Sequence, residues 1–214
     1  MVTLLIHHLA IDMTYSVPFH SMKKLQTLAV FCGSSTGTNP RLAEGAEELG
    51  AAMAKKHLSL VYGGGNRGLM GIVAQSLYDR GGNVIGVLPE ALNRSDVRLH
   101  TVENELIIVP TMHERKAKMY SLADAFIALP GGIGTLEEIL EIFTWLQLGY
   151  HQKPVAILNL AGFYDKLLDF LSYSVKQGFL KQDHLDALIV DQDIDSLLDK
   201  LEGWKPKLSD KLSP

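Results

Sequence analysis

The sequence is poor in cysteine, in net charge and in long apolar runs, and each shortage excludes a class of protein. Among 214 residues there is one cysteine, so no disulfide can form within the chain, and a reducing compartment, the cytoplasm, is expected. The formal net charge is only -4, which provides no field to recruit nucleic acid or an anionic membrane surface. No apolar stretch approaches the roughly 18 residues that a membrane-spanning helix needs. We therefore expect neither a nucleic-acid partner nor a membrane.

The length and the hydrophobic fraction of 47% fit one globular domain with a full core. A regular pattern of elements begins near Met22. We predict a flexible extension over residues 1–21, a catalytic domain over residues 22–204 and a tail over residues 205–214. Residues 1–21 lack the basic start and the sustained apolar centre of a secretory signal.

From Leu28 onward, short apolar runs alternate with amphipathic stretches of helical length, as in parallel strands joined by helices. Strands are predicted at residues 28–32, 59–62, 83–87, 105–109, 125–129 and 154–158, with a further strand or edge segment at 187–190. Helices are predicted at residues 41–56, 68–78, 112–122, 135–148, 163–177 and 194–201. This order predicts an α/β fold: a single-domain, doubly wound, Rossmann-like and mostly parallel sheet with helices on both faces.

Two glycine-rich turns follow the first two predicted strands, at the edge of the sheet where such folds bind ligands. In the first, Gly33 and Ser34 let backbone amides and a hydroxyl approach a ligand, although a plain tight loop explains them equally well. The second contains Gly64 and Gly65. It loosely resembles a dinucleotide fingerprint, but the next strand lacks the expected acidic residue at its end. A hydride-transferring NAD enzyme is therefore disfavoured.

The third turn carries the strongest signal. A buried strand stops at a proline, and three glycines precede a helix, in the order Pro130-Gly131-Gly132-Ile133-Gly134-Thr135-Leu136-Glu137-Glu138. Thr135 can cap the helix or bond a phosphate oxygen, and the positive end of the helix dipole attracts an anion. The structural alternative is a capping box of Thr135 and Glu138, but it leaves Glu137 and the glycines unexplained.

A fourth segment opens a helix with adjacent cations, Arg115 and Lys116, close to His113. Cations at a helix start oppose the local dipole, so an anionic ligand or a partner carboxylate would offset their cost. On spacing alone, however, an exposed charged face is favoured.

Together, the glycine turns, the Arg-Lys pair and the run Pro-Gly-Gly-x-Gly-Thr-x-x-Glu resemble the Lonely Guy family of cytokinin riboside 5′-monophosphate phosphoribohydrolases. The resemblance covers about residues 28–180. It implies hydrolysis of the N-glycosidic bond of a purine nucleoside 5′-monophosphate, either a cytokinin type or AMP, to free base and ribose 5-phosphate. It implies no cofactor and no metal, and it implies a homodimer.

The resemblance also implies roles for individual residues. Arg115 and Glu137 match the catalytic pair, with Glu137 stabilising positive charge on the ribose and activating water. The remaining implied contacts are to the nucleotide, with the phosphate on the third turn: Gly33, Ser34, Gly64, Gly65, Lys116, Gly131, Gly132, Gly134, Thr135 and Thr144. Asp96 is the nearest candidate for a further acidic contact to substrate.

One alternative is set aside at this point, and two questions stay open. The family has often been labelled lysine decarboxylase, but nothing in the sequence positions a cofactor lysine against a phosphate loop. A nucleotide carrier or sensor without hydrolysis would use the same glycine scaffold. The apolar stripe of the fourth helix, which includes Ile139 and Phe143, could form a dimer surface, although such stripes are more often core.

Overall fold

A computed structural model describes residues 25–94, 97, 101–205 and 208–211 of the chain. The predicted extension over residues 1–21, half of the predicted tail and Asp96 therefore lie outside the described residues. Within the described part of the chain, no helix is long and apolar enough to cross a membrane.

The described residues form one sheet of seven strands in which every pairing is parallel. They are β1 (Thr27–Phe31), β2 (Ser59–Tyr62), β3 (Val84–Pro89), β4 (Glu105–Val109), β5 (Ala125–Ala128), β6 (Val155–Leu158) and β7 (Leu188–Asp191). Their order across the sheet is β4-β3-β2-β1-β5-β6-β7. The predicted doubly wound α/β fold is confirmed, and the segment at 187–190 is an edge strand.

In the described ranges, seven α-helices lie between or after the strands. They are α1 (Pro40–Lys55), α2 (Gly68–Asp79), α3 (Met112–Leu122), α4 (Ile133–Gln147), α5 (Asp165–Lys176), α6 (Gln182–Asp186) and α7 (Ile194–Glu202), with short 3-10 turns at Glu90–Leu92 and Leu160–Gly162. Asn39 caps α1 by accepting a hydrogen bond from the amide of Arg41, and Pro40 occupies its first turn, which fixes where this helix begins.

The helices pack on both faces of the sheet, and the central strand β1 shows why its sequence is continuously apolar. Leu28 and Val30 face the layer of α1, α2 and α7, whereas Ala29 and Phe31 face the layer of α3, α4 and α5. Neither face of such a strand contacts water, so its residues are apolar on both sides. Cys32 is buried in the first of these layers, so its predicted role in core packing is confirmed.

The winding of the sheet reverses beside β1. The chain runs outward from β1 to β4, returns to β5 on the other side of β1, and then continues to β7. The carboxyl ends of β1 and β5 therefore border the crevice where folds of this kind bind ligands.

The apolar stripe of α4 belongs to the core. Ile139, Ile142, Phe143 and Leu146 are buried within the chain itself. The core interpretation is confirmed, and the stripe is not free to serve as the dimer surface.

Candidate functional site

The three glycine-rich turns meet at the crevice between β1 and β5. The amide of Gly33, after β1, donates to the carbonyl of Pro130, after β5, at 3.0 Å. The carbonyl of Gly33 accepts from the amide of Met70, in the first turn of α2, at 3.4 Å. The backbone of one residue, Gly33, thus ties together the turns that follow β1, β2 and β5.

The third turn ends in a helix start without a side-chain cap. Helix α4 begins at Ile133, its N-cap is Gly132, and none of the described side chains caps it. The capping-box alternative is therefore wrong, and so is the predicted start of this helix at Thr135. The first amides of a helix have no partner within that helix, so this terminus is suited to an anion.

Thr135 instead turns inward and packs on Gly131. It is buried, and a β-carbon added to Gly131 would lie 2.1 Å from its Oγ1. The same added atom would lie 2.9 Å from the amide nitrogen of Gly33. Only glycine fits at position 131, because any side chain would push the third turn away from the first.

Arg115 reaches the crevice from α3 and pairs with Glu138 of α4. A capping box of Thr111 and Glu114 starts α3. One turn into the helix, Nη1 of Arg115 lies 2.5 Å from Oε1 of Glu138, and Nε of Arg115 donates to the carbonyl of Val87 at 3.3 Å. The two paired side chains are 11% and 12% exposed, so this ion pair is well shielded from water.

The environment of Glu138 is buried, which disfavours the ionised form of its carboxyl group. Burial raises its pKa above the ordinary value, and the neighbouring Arg115 offsets only part of that rise. Burial, with the charge of Glu138 as a second cause, also raises the pKa of the Cys32 thiol.

Glu137, the neighbour of Glu138, belongs to a different cluster. Its Oε1 lies 2.5 Å from Nζ of Lys116, which also donates to Glu141 at 3.0 Å. The side chain of Glu137 is 51% exposed, whereas that of Lys116 is 14% exposed. Lys116 therefore joins α3 to the outer side of α4.

The fourth segment is not an exposed charged face. Arg115 and Lys116 are both largely enclosed, and each is paired with a carboxylate of α4. The interpretation favoured on spacing alone was wrong. The spacing of charges along the sequence cannot show that the start of α4 places its carboxylates against Arg115 and Lys116. The alternative of a partner carboxylate is the one observed.

The other predicted contact residues are distributed unevenly. Ser34, Gly132 and Gly134 are exposed at the crevice turns. Gly64 and Gly65 are buried, and Gly64 packs against Leu88. A nucleotide contact from these residues stays a prediction.

Thr144 lies apart from the paired charges, toward the C-terminal end of α4. It is exposed, and its hydroxyl donates to the carbonyl of Leu140 in the preceding turn at 2.7 Å. The structure does not bring Thr144 to Arg115 and Glu138 within one chain.

A cavity of about 700 Å³ lies between α1 and α2 and does not coincide with the paired charges. Its lining includes Ser34, Asn66 and Arg80 but neither Arg115 nor Glu138. We give more weight to the crevice, because the convergent turns and the shielded ion pair lie there. No cluster of three metal-ligating side chains occurs in the described ranges of the chain.

Two residues of the site were not predicted. Glu138 was assigned only to a capping box, although the run Pro-Gly-Gly-x-Gly-Thr-x-x-Glu, counted from Pro130, ends on it. Gly63 was not selected either, yet a β-carbon there would lie 2.3 Å from Nη2 of Arg115. No sequence signal separates Gly63 from its glycine neighbours.

Comparison with known proteins shows that one family model and several relatives match most of the chain. The family described as "Possible lysine decarboxylase" matches residues 70–201. The cytokinin riboside 5′-monophosphate phosphoribohydrolase LOG2 of Arabidopsis thaliana is 43% identical over 190 residues, which is 89% of each chain. The cytokinin riboside 5′-monophosphate phosphoribohydrolase LOG of Oryza sativa subsp. japonica is 45% identical, over 86% of this chain and 76% of its own.

Solved structures share the fold at much lower identity. The molybdenum cofactor binding protein of Rippkaea orientalis superposes with a TM-score of 0.63 at 20% identity, over 86% of this chain and 98% of its own. The molybdenum cofactor carrier protein of Chlamydomonas reinhardtii gives 0.62 at 18% identity, over 85% and 100%. At such identities the likeness concerns the fold alone.

Proposed function

The chain belongs to the Lonely Guy family of cytokinin riboside 5′-monophosphate phosphoribohydrolases, and from this premise we propose that it is a hydrolase of purine nucleoside 5′-monophosphates. It cleaves the N-glycosidic bond and releases the free base and ribose 5-phosphate. Its substrate is a cytokinin-type nucleotide or AMP.

The observation that carries this proposal is the shielded pair of Arg115 and Glu138 beside an uncapped helix start. Both lie at the carboxyl-end crevice of a doubly wound sheet. A nucleotide monophosphate has an anionic end and a reacting anomeric carbon, so it needs an anion site and a carboxylate close together. The crevice offers both.

The 5′-phosphate binds on the third turn in this proposal. Gly131, Gly132, Gly134 and Thr135 shape the start of α4, and the helix dipole adds attraction for the anion. Gly33 and Ser34 border the same turn from β1, and Gly64 and Gly65 support the second turn beside the ribose and the base.

The reaction passes through positive charge on the ribose, as in other glycoside hydrolyses. The Glu138 carboxylate stabilises that charge and takes a proton from the attacking water, whose oxygen forms the new bond to the anomeric carbon. The bond from that carbon to the base nitrogen breaks, and the electron pair leaves with the base, which takes up the proton that Glu138 removed from the water. Arg115 orients the carboxylate and the departing base.

Glu137 is the competing candidate for the carboxylate role, as expected from the sequence. Its pairing with Lys116 and its larger exposure fit a supporting position at the rim. The shielding of Glu138 and its contact with Arg115 support Glu138 as the catalytic carboxylate, because a charge shielded from water interacts more strongly with the transition state.

The test is an anion-exchange assay of base release from AMP and from N6-isopentenyl-AMP. We expect base and ribose 5-phosphate in equal amounts, and the ratio of the two rates identifies the preferred base. Glu138→Gln should lower kcat by roughly 100-fold or more, with nucleotide binding largely kept. Glu137→Gln is the matched control and should stay within about tenfold of wild type.

Either of two outcomes would contradict the proposal. A larger loss in Glu137→Gln than in Glu138→Gln would return the catalytic role to Glu137. No base release from either nucleotide, with binding intact, would favour the nucleotide carrier or sensor.

Two further proposals concern the state of the protein. We propose a homodimer that works in the cytoplasm without nucleic acid. The exposed aromatic side chains Phe170, Tyr173 and Phe179 on and after α5 support an interface on that layer. A mass measurement that finds only monomer at micromolar concentration would contradict the dimer.

A further inference from the structure

The buried hydroxyl of Tyr164 is hydrogen-bonded to the backbone directly before the third turn. Tyr164 follows the short turn after β6 and is only 2% exposed. Its Oη donates to the carbonyl of Leu129 at 2.6 Å. Leu129 precedes Pro130 and is itself fully buried. A buried carbonyl needs a donor, so this bond is part of what makes the strand end stable.

The sheet itself does not extend to this carbonyl on the β6 side. The pairing of β5 with β6 ends at Ala128 and Ile157. On the other side, the amide of Leu129 still donates to the carbonyl of Phe31 at 2.9 Å. Tyr164 thus supplies a donor to a carbonyl that lies beyond the end of the β5–β6 pairing.

The two successive peptides on either side of Pro130 are therefore each held by one hydrogen bond to their carbonyl. Tyr164 fixes the carbonyl of Leu129, and the amide of Gly33 fixes the carbonyl of the next residue, Pro130, at 3.0 Å. Proline has no amide hydrogen and cannot add a donor of its own. The glycines after Pro130 have no side chains to hold the turn, so these two carbonyl contacts set its orientation together with the packing of Thr135 on Gly131.

Tyr164 is itself well placed to act as a fixed support. Its amide donates to Oδ1 of Asn159 at 2.8 Å, and Nδ2 of that asparagine donates to Asp165 at 2.7 Å. Burial raises the pKa of the Tyr164 hydroxyl, so the hydroxyl keeps its proton and remains a donor.

We propose that Tyr164 is a positioning residue for phosphate recognition: through its bond to the Leu129 carbonyl it sets the third turn so that the amides at the start of α4 face the 5′-phosphate. The inference rests on the proposed function. It predicts that Tyr164 acts on the ribose 5-phosphate end of the substrate and not on the base.

The test uses Tyr164→Phe in the full chain, which keeps the ring and removes only the donor. Binding of ribose 5-phosphate and of free base is measured separately by titration calorimetry, and KM and kcat are measured with AMP. We expect the Kd for ribose 5-phosphate and the KM to rise about tenfold, the equivalent of one hydrogen bond, with kcat changed less than about threefold. The Kd for free base should stay unchanged.

Two control variants separate positioning from stability. Tyr78→Phe removes an exposed hydroxyl from α2 and should leave every constant unchanged. Leu171→Ala removes buried side-chain volume from α5 and should lower the melting temperature without changing the Kd for ribose 5-phosphate. If Leu171→Ala and Tyr164→Phe weaken ribose 5-phosphate binding equally, Tyr164 has only a structural role and the inference is overturned.

The result also distinguishes this inference from the proposed function. A wild-type protein that binds ribose 5-phosphate but does not cleave nucleotides would refute hydrolysis, while the binding comparison still decides the role of Tyr164. A Tyr164→Phe protein with wild-type affinity for ribose 5-phosphate overturns the inference and leaves hydrolysis untouched. A wild-type protein with no affinity for ribose 5-phosphate overturns the inference, and hydrolysis is then decided by the assay of base release.

Discussion

Arg115 and Glu138 are 23 residues apart in the chain, yet the guanidinium and the carboxylate are in direct contact at the start of two different helices. The contact is possible because α3 and α4 follow β4 and β5 and both begin at the carboxyl edge of the sheet. Their first turns therefore converge where the sheet reverses its winding.

The close approach of Gly63 to Arg115 makes a first prediction. A methyl group at position 63 would lie 2.3 Å from Nη2, so Gly63→Ala must displace the guanidinium. We expect kcat/KM for AMP to fall by roughly tenfold to 100-fold, since misplaced catalytic groups lose rate steeply. Gly203→Ala is the matched control, because its added carbon would lie at an ordinary 3.4 Å from the nearest atom. Wild-type kinetics in Gly63→Ala would show that the position of Arg115 is unimportant.

The pH profile of the reaction makes a second prediction. Burial raises the pKa of Glu138 above the ordinary 4.5, and the proposed mechanism needs the ionised form. Activity should therefore be full above the raised pKa and fall as the pH drops through it, so the acid limb of kcat/KM has its midpoint above 4.5. Profiles measured between about pH 4 and pH 9 check this. Glu137→Gln should keep the limb, and a limb that moves in that variant would contradict the assignment to Glu138.

Lys116 makes a third prediction, since it joins two helices through Glu137 and Glu141. If it is a link between α3 and α4, Lys116→Met and Glu141→Gln should each lower the free energy of unfolding. Their effects should also be non-additive by about 1 kcal/mol. Denaturant unfolding of the two single variants and the double variant measures this coupling. Strict additivity, with a raised KM in Lys116→Met, would instead support the direct nucleotide contact expected from the sequence.

The strands and most of the helices could be predicted from the sequence, because strands that are buried within the sheet are continuously apolar. Strands such as β1 are buried on both faces, and their runs stand out against the amphipathic helices. The five-residue helix α6, Gln182–Asp186, was missed because it is too short to show a helical period. The start of α4 was placed two residues late because its N-cap is a glycine, which carries no capping side chain.

The candidate site was less predictable than the fold. Glu137 and Glu138 are adjacent on one helix and point about 100° apart, so only the packing of α4 decides which one turns inward. The exposed charged face expected around Arg115 depended on the same unknown, the position of α4 beside α3. The motifs showed which turns matter, but the pairing of side chains required the tertiary structure.

His151 makes a fourth prediction, on stability. Its Nε2 lies 2.9 Å from the carbonyl of Ile142 and its Nδ1 accepts from the amide of Lys153 at 3.0 Å, an arrangement that suits the neutral ring. Burial lowers the pKa of His151 in the folded protein. A protonated ring would lose its acceptor nitrogen and would lie near the ammonium of Lys153, which stacks over Tyr120.

The stability that the neutral ring provides is therefore present above the unfolded pKa of about 6.5 and is lost as the pH falls through the lower folded value. Denaturant unfolding at about pH 7.5 and pH 5 should show a larger loss of unfolding free energy in wild type than in His151→Gln. The exposed His57 is the control, because His57→Gln should keep the wild-type pH dependence. If His151→Gln loses as much stability on acidification as wild type does, other groups cause the acid sensitivity.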